Sequence, residues 1–413
     1  MKYCLRLKVA LLCSILIFIP SLLFSQQSLA QYFDEAPLWS WNIWAPYPAK
    51  NAAMGDCILA LKAQSPLAGM HNPAALREVK RLNISCNLSA NSIQLFRYSI
   101  VNTGEAFTGI NTIRGFALSH LGVSFSLKGW NIALNLAEQE DYSRPKLRQA
   151  LSVSTGGGID ALFGGKMRSF NLSLSYPLLK EHLHIGAGFS YLYGSLEKEL
   201  MMKMRDYGEI ESIDLLRDEQ KLKARCFHLG VLLKANKVLE MAFALRSPYN
   251  KKSSSTVYRE FSNIYINISN SYSSQDSYHQ PLILGWGVSL QPSSNLILAA
   301  DISFFRWKSY RAERFTSDLQ RNFQNTLKIG IGMEYTLQQQ RLSQLSSIPL
   351  RIGYIRDPQP CTAPARNYHY LTFGTGFKWK SLSCDVAAQW GRGKGAYPTL
   401  TNKRMLVSFL LTL

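Results

Sequence analysis

The sequence predicts an all-β fold: a fourteen-stranded antiparallel transmembrane β-barrel, preceded by a small, partly helical N-terminal segment. Three observations carry this expectation. Stretches of strict period-2 alternation recur to the last residue, as in 169–176, where Phe170, Leu172, Leu174 and Tyr176 alternate with Ser169, Asn171, Ser173 and Ser175. A strand greasy on one face and polar on the other suits lipid outside and water inside. The chain opens with an export signal. The candidate strands are joined by connections that alternate between short and long, the rhythm of short periplasmic turns and long external loops.

In chain order, residues 1–30 read as a cleavable Sec signal peptide. Lys2, Arg6 and Lys8 form a basic start, residues 9–24 are apolar apart from Ser14 and Ser21, and Ser28-Leu29-Ala30 offers small residues at a cleavage spacing. The apolar run of about 16 residues is short for a membrane span. No cysteine sits at the cleavage point, so a lipid-anchored N-terminus is not indicated. Residues 31–81 lack sustained alternation. They hold Trp39, Trp41 and Trp44, then Pro46 and Pro48, a stretch of helix formers over 52–61, and Asn72-Pro73-Ala74-Ala75-Leu76. This is a compact, partly helical segment. The tryptophans suit an apolar pocket or a membrane interface, where Trp is enriched, and equally suit simple packing.

Residues 82–413 form the expected barrel. Short connections are read at 128–131, 177–181, 235–237, 292–295 and 380–383, with a longer one at 338–347. Long polar connections are read at 102–114, 137–165, 197–219, 247–280, 311–325, 356–367 and 391–402. Seven long and six short connections imply fourteen strands, and the even number puts both chain ends on one side. In 182–193, Leu183, Ile185, Ala187, Phe189, Tyr191 and Tyr193 share a face opposite His182, His184, Gly186, Gly188 and Ser190, with Leu192 as the exception. Asp301 alternates with apolar neighbours and belongs in the lumen, because a charge facing lipid at midplane is costly. Arg225 lies on the greasy side of its strand and is placed near a membrane interface.

Composition bounds the function. No other apolar run approaches the ~20 residues a helical span needs, so a helical membrane protein is excluded. The formal charge of +19 favours anionic neighbours, which on an exported barrel would be lipopolysaccharide phosphates or anionic ligands, or else charge spread over solvated loops. Lys198, Lys251, Lys252 and Arg311 are candidate external cations. Nucleic acid is not an expected partner, since no binding motif is present. The five cysteines past the signal show no CxxC or Cys/His metal spacing. The seven histidines have no Ser or acidic partner at recognisable spacing, so neither an enzyme nor a cofactor is expected.

Ala52-Ala53-Met54-Gly55 followed by Asn72-Pro73-Ala74-Ala75-Leu76 resembles paired N-terminal signatures of the FadL/TodX outer-membrane transport family. Ala244-Leu245-Arg246-Ser247-Pro248-Tyr249, Ala300-Asp301-Ile302 with Trp307, Arg351-Ile352-Gly353-Tyr354 with Asp357-Pro358, and Thr372-Phe373-Gly374-Thr375-Gly376 are similar to later words of that family, in order. Two departures stand out: Ala63-Gln64-Ser65 replaces acidic residues before the Asn-Pro-Ala word, and Ala75 replaces the glycine after it. The resemblance implies that residues 31–81 are a hatch folded into the lumen, with Met54, Gly55, Asn72, Pro73 and Ala74 as its motif. It places Trp39, Trp41, Trp44 and Asp301 as lumen or ligand contacts. It implies a bacterial outer-membrane passive transporter for long-chain fatty acids or other hydrophobic small molecules, with a sideways exit into the bilayer. The alternative it leaves open is an interaction or scaffold barrel, like the related PorV-type proteins of protein secretion.

Overall fold

The computed structural model describes residues 46–413 apart from 63–64, 80–81, 101–105, 151–157, 180–181, 207–208, 264, 314–322, 338–346, 363–364 and 396–398. The expected signal peptide, Trp39, Trp41 and Trp44 lie outside the described residues.

Among the described residues, one short helix, α1 (Ala49–Ala53), and two 3-10 turns (Pro66–Met70 and Pro73–Glu78) precede the sheet. Nineteen strands of the described residues then form one antiparallel sheet. The first run is β1 (Asn83–Ile100), β2 (Ala106–Leu127), β3 (Trp130–Asp141), β4 (Arg144–Ala150), β5 (Gly158–Gly164) and β6 (Lys166–Leu179). Next come β7 (Leu183–Asp206), β8 (Glu209–Lys234), β9 (Leu239–Arg246), β10 (Tyr249–Asn263) and β11 (Asn267–Gln280). Then follow β12 (Ile283–Ser293), β13 (Leu296–Phe305), β14 (Arg311–Glu313) and β15 (Thr326–Leu337). The last are β16 (Ile348–Thr362), β17 (Ala365–Trp379), β18 (Leu382–Gly395) and β19 (Thr399–Thr412).

Fourteen of these close the wall: β1, β2, β3, β6, β7, β8, β9, β12, β13, β15, β16, β17, β18 and β19. β19 returns to pair with β1 along its length, so the ring has no free edge there. The period-2 pattern reads directly onto the two faces. Phe170, Leu172 and Tyr176 are 36–45% exposed, while Ser169, Asn171, Ser173 and Ser175 are fully buried. Phe227, Leu229, Trp286, Ile331, Ile352 and Phe373 continue the outward apolar belt around the ring. Such a belt is the face a membrane barrel presents to lipid. Tyr176 packs on Trp130 near the short-turn end, centroids 4.8 Å apart, and Tyr191 stacks with Tyr193 towards the other, a pair of interfacial aromatic levels.

The long connections differ from the sequence expectation. Residues 197–219 are the continuous upper halves of β7 and β8, which are 24 and 26 residues long. Residues 247–280 hold the hairpin β10–β11, and 137–165 holds β4–β5. A membrane takes only about 9–11 residues per strand. The excess rises above the apolar belt as a six-stranded sheet in the order β4–β5–β7–β8–β10–β11. Both faces of much of this extension are polar or part-exposed, so the alternation that marks a half-buried strand is weak there.

One seam of the wall is incomplete. β2 and β3 are paired only from Leu127↔Trp130 up to His120↔Ala137, and β2 continues for a further fourteen residues without a ladder partner on that side among the described residues. The neighbouring register shifts at the same level, between Asn87 and Leu88 on one side of the seam and between Glu138 and Glu140 on the other. Phe116, Leu118 and Leu136 form exposed greasy lips beside it.

Candidate functional site

Residues 46–79 fold inside the ring, and the described ones are buried almost throughout. Alanines make this possible. Ala49, Ala52, Ala53, Ala68, Ala74 and Ala75 are at most 1% exposed and let the segment lie flat against the wall. Pro73 opens the second 3-10 turn, where its missing N–H costs nothing. Asn72 caps that turn, its Oδ1 accepting from Ala74 N at 3.0 Å.

Two glycine platforms on the wall receive the two N-terminal words. Gly186 of β7 and Gly230 of β8 are directly paired, and Asn72-Pro73-Ala74 lies on them so closely that a β-carbon at Gly230 would fall on Asn72 Oδ1. Gly332 of β15 and Gly353 of β16 are likewise paired and receive the Met54-Gly55 backbone, with Gly55 itself at φ +67°. Only glycine allows a backbone to approach a wall this closely.

Polar side chains then fasten the plug. Asp301 of β13 accepts from the backbone N–H of Ile58 at 2.7 Å and of Leu59 at 2.9 Å. The Leu59 carbonyl accepts from Asn72 Nδ2 at 2.8 Å, so Asp301 and Asn72 hold the same residue from both ends. Thr372 accepts from Gly55 N at 3.1 Å and donates to the Ala53 carbonyl at 2.8 Å. Gln389 donates to the Ala52 carbonyl at 3.0 Å and to Asp56 at 2.9 Å, while Lys328 pairs with Asp56 at 2.9 Å. Ser408 accepts from Ala49 N at 2.7 Å, Ser173 donates to the Gly69 carbonyl at 2.9 Å, and Arg77 pairs with Glu240. His71 donates through Nε2 to the Pro46 carbonyl at 2.8 Å and packs on Tyr47, the rings tilted by 33° with centroids 4.4 Å apart. Burial pushes the His71 imidazole down to about 4, so it is neutral at physiological pH.

Beside the plug, a hydrogen-bonded row crosses five adjacent strands of the inner wall. It runs His120–Asn135 (2.9 Å), Asn135–Asn171 (3.1 Å), Asn171–Ser190 (3.0 Å) and Ser190–His228 (2.9 Å), starting at the incomplete β2–β3 seam. Towards the projecting sheet, Lys251 bonds Glu140 at 2.6 Å and Tyr142 at 3.0 Å, and Tyr142 bonds Glu140. Phe305, Trp307, Tyr310 and Phe323 form a buried aromatic cluster, with Tyr310 and Phe323 centroids 5.2 Å apart. At the short-turn end, a polar cavity of about 320 Å³ is lined by Lys50, Asn87, Glu334, Arg351, Asp385 and Ser408, among others.

The five motif residues and Asp301 therefore meet at one interface, between plug and wall. Thr372, Gln389, Lys328, Asp56, Ser173 and Ser408 also belong to it and were not read as site residues. The inward glycines at Gly186, Gly230, Gly330, Gly332 and Gly353 were the available signal, since glycine on a strand's inner face marks a close backbone approach. Lys251 is a correction: it is buried within the barrel on Glu140 rather than offered to an external ligand. No group of three or more His, Cys, Asp or Glu among the described residues could hold a metal ion.

A closed fourteen-stranded membrane wall with an N-terminal plug seated on its inner face defines the class: a plugged transmembrane β-barrel. A family model described as BamG matches residues 19–362, and the chain belongs to the BamG family. No curated protein sequence matches. The fold is that of the FadL/TodX-type channels, which the sequence words had indicated, although the matching family is a separate one. A Pseudomonas aeruginosa FadL homologue superposes with a TM-score of 0.65 at 14% identity, covering 89% of this chain and 98% of that one. The Ralstonia pickettii toluene transporter TbuX gives 0.64 at 14% identity over 90% and 100%, and the Pseudomonas putida toluene transporter TodX 0.64 at 13% over 90% and 99%.

Proposed function

We propose that this barrel stands in a bacterial outer membrane, with β4–β5, β7–β8 and β10–β11 on the outside, and passes hydrophobic small molecules, long-chain fatty acids among them. The observation that carries this reading is the interrupted β2–β3 seam. It adjoins the plugged lumen, has greasy lips towards lipid, and lies at the level of two bulges. A molecule that gains about 0.8 kcal/mol per buried CH₂ would leave a polar lumen sideways into the bilayer more readily than downward past a fastened plug. The structural neighbours include toluene transporters, which supports an apolar cargo. Met54, Gly55, Asn72, Pro73, Ala74 and Asp301 would act by holding the plug. Trp39, Trp41 and Trp44 remain proposed ligand contacts.

The test is uptake of oleate and of toluene by a host lacking its own outer-membrane transporters, comparing the native chain with Asn72→Ala and with a variant lacking residues 31–50. Uptake above the empty host, altered by either change, supports the proposal. Uptake no greater than that of the empty host would sink it.

A second reading is favoured by the six-stranded sheet above the belt, which transport alone does not require. There the barrel would hold other proteins at the cell surface. Co-purification of a stoichiometric protein complex, together with absent uptake, would favour it.

A further inference from the structure

On the outward face of β8 the side chains run Leu233, Val231, Leu229, Phe227, Arg225, Lys223 and Lys221, and all seven are exposed. The first four are the lipid-facing belt. The change to three successive cations is abrupt. From Leu233 to Lys223 the strand advances roughly 34 Å at about 3.4 Å per residue, or about 26 Å along the membrane normal at a tilt of about 40°. That is about the height of the apolar band of such barrels. Lys223 therefore stands at the outer edge of the hydrocarbon.

The adjacent strand adds a fourth cation. Lys252 of β10 lies directly opposite Lys223 and is also exposed. Like charges directly opposite in a sheet are destabilising. None of Lys221, Lys223, Arg225 and Lys252 makes an ion pair among the described residues. The residues facing them on β7 are Ser195, Tyr193 and Tyr191, all uncharged, and Lys221 and Lys252 face Ser254 and Ser277 on their other neighbours. The acidic side chains nearest on this face are the Glu197–Glu219 pair one row higher, where Glu199 also meets Arg217, and Glu313 in the same row but two strands beyond Lys252, where it pairs with His279. A repulsive cluster with no carboxylate directly opposite any of its members, resting on exposed Phe227 and Tyr193, suits an anion whose own body is greasy.

We propose that Lys221, Lys223, Arg225 and Lys252 form a binding site for the phosphate of an outer-leaflet glycolipid, its acyl chains lying against Phe227, Tyr193 and the belt below. The site rests on the outer-membrane orientation proposed above and is independent of transport. It accounts for part of the chain's positive charge as a local feature.

The experiment uses the full chain in detergent, with lipid A, dephosphorylated lipid A and inorganic phosphate as probes. Binding is read by native mass spectrometry and by the shift in melting temperature. The variant is Lys223→Gln/Arg225→Gln/Lys252→Gln. Its control carries Lys128→Gln/Lys237→Gln/Lys380→Gln, which removes equal charge at the short-turn end. Lipid A should bind the native chain and the control alike and the variant about tenfold more weakly or worse. Dephosphorylated lipid A should lose the same increment on the native chain. Without lipid, the variant should melt higher than the native chain, because the repulsion is gone. Equal lipid A binding by variant and control, or inorganic phosphate binding as tightly as lipid A, would overturn the proposal. Protease cleavage of the β10–β11 hairpin on whole cells tests the orientation separately.

Discussion

Leu59 is held at both ends of its peptide, its N–H by Asp301 and its carbonyl by Asn72. Removing either partner leaves a buried backbone group unsatisfied, so each change carries a desolvation penalty as well as a lost bond. Asn72→Ala also removes the cap of the second 3-10 turn, and should loosen the plug by about 2 kcal/mol. Asp301→Asn keeps one acceptor oxygen and puts an amide NH₂ in place of the other, with an expected effect of about 1–3 kcal/mol. Both should appear as faster protease cleavage within 46–79 while the wall still resists denaturation by detergent. Gly230→Leu should act more strongly than either, because its β-carbon would occupy the position of Asn72 Oδ1. His71 adds a pH dependence. Its folded value, about 4, lies below the ~6.5 of an unfolded chain, so the unfolded form binds the proton first. The stabilisation is complete above about pH 6.5 and is lost as pH falls towards 4, by on the order of 3 kcal/mol. Plug protection measured across that window should fall in the native chain and stay flatter in His71→Asn.

At the scale of elements, Ser119 is the extra residue of the bulge in β2, since Asn87 pairs with His120 and Leu88 with Leu118. Ser119 and His120 both point inward in consequence. Deleting Ser119 restores strict alternation, with Leu118 out and His120 in. The expected result is a folded barrel with a more regular β2 and several-fold lower uptake of apolar cargo; unchanged uptake would remove the seam as the exit. The elements also show what sequence could carry. The wall strands were legible because lipid outside and a packed interior inside impose opposite chemistry on successive residues, as at 169–176. β10, β11 and the upper parts of β7 and β8 read as loops because their buried face is itself largely polar, with Lys251, Ser253, Ser255, Gln220 and Asp276 on it, so no contrast in hydropathy marks successive residues. Lys251 shows the same limit: a lysine in a polar stretch reads as solvated, and only the placement of Glu140 and Tyr142 opposite it reveals an interior site. The plug words at Met54-Gly55 and Asn72-Pro73 were visible, but the wall residues that grip the segment around the first of them, Thr372 and Gln389, lie more than 300 positions away in the chain.

At the scale of the whole molecule, the ring is greasy at its waist and polar above, and one arc of it rises as an extended sheet. The +19 charge is unevenly used. Some of it neutralises buried acids inside, as Lys328 and Arg351 do, and some stands bare at the outer edge of the belt, as Lys223 and Lys252 do. Raising ionic strength should therefore leave the shielded plug contacts largely intact while weakening surface association with anionic lipid. Comparing plug protection and lipid A binding over a salt titration separates the two.

The plug touches strands from both ends of the chain: Ser173 of β6 early, Gln389 of β18 and Ser408 of β19 last. β19 closes the ring on β1, so a segment already lying within the curling sheet would meet the final strand as it docks. Its consequence is for biogenesis. A plug in place this early would serve as a mandrel, setting the curvature of the wall around it and receiving the last two strands as they arrive. A chain lacking residues 46–79 should close more slowly, which the time course of heat-modifiable migration after insertion would measure.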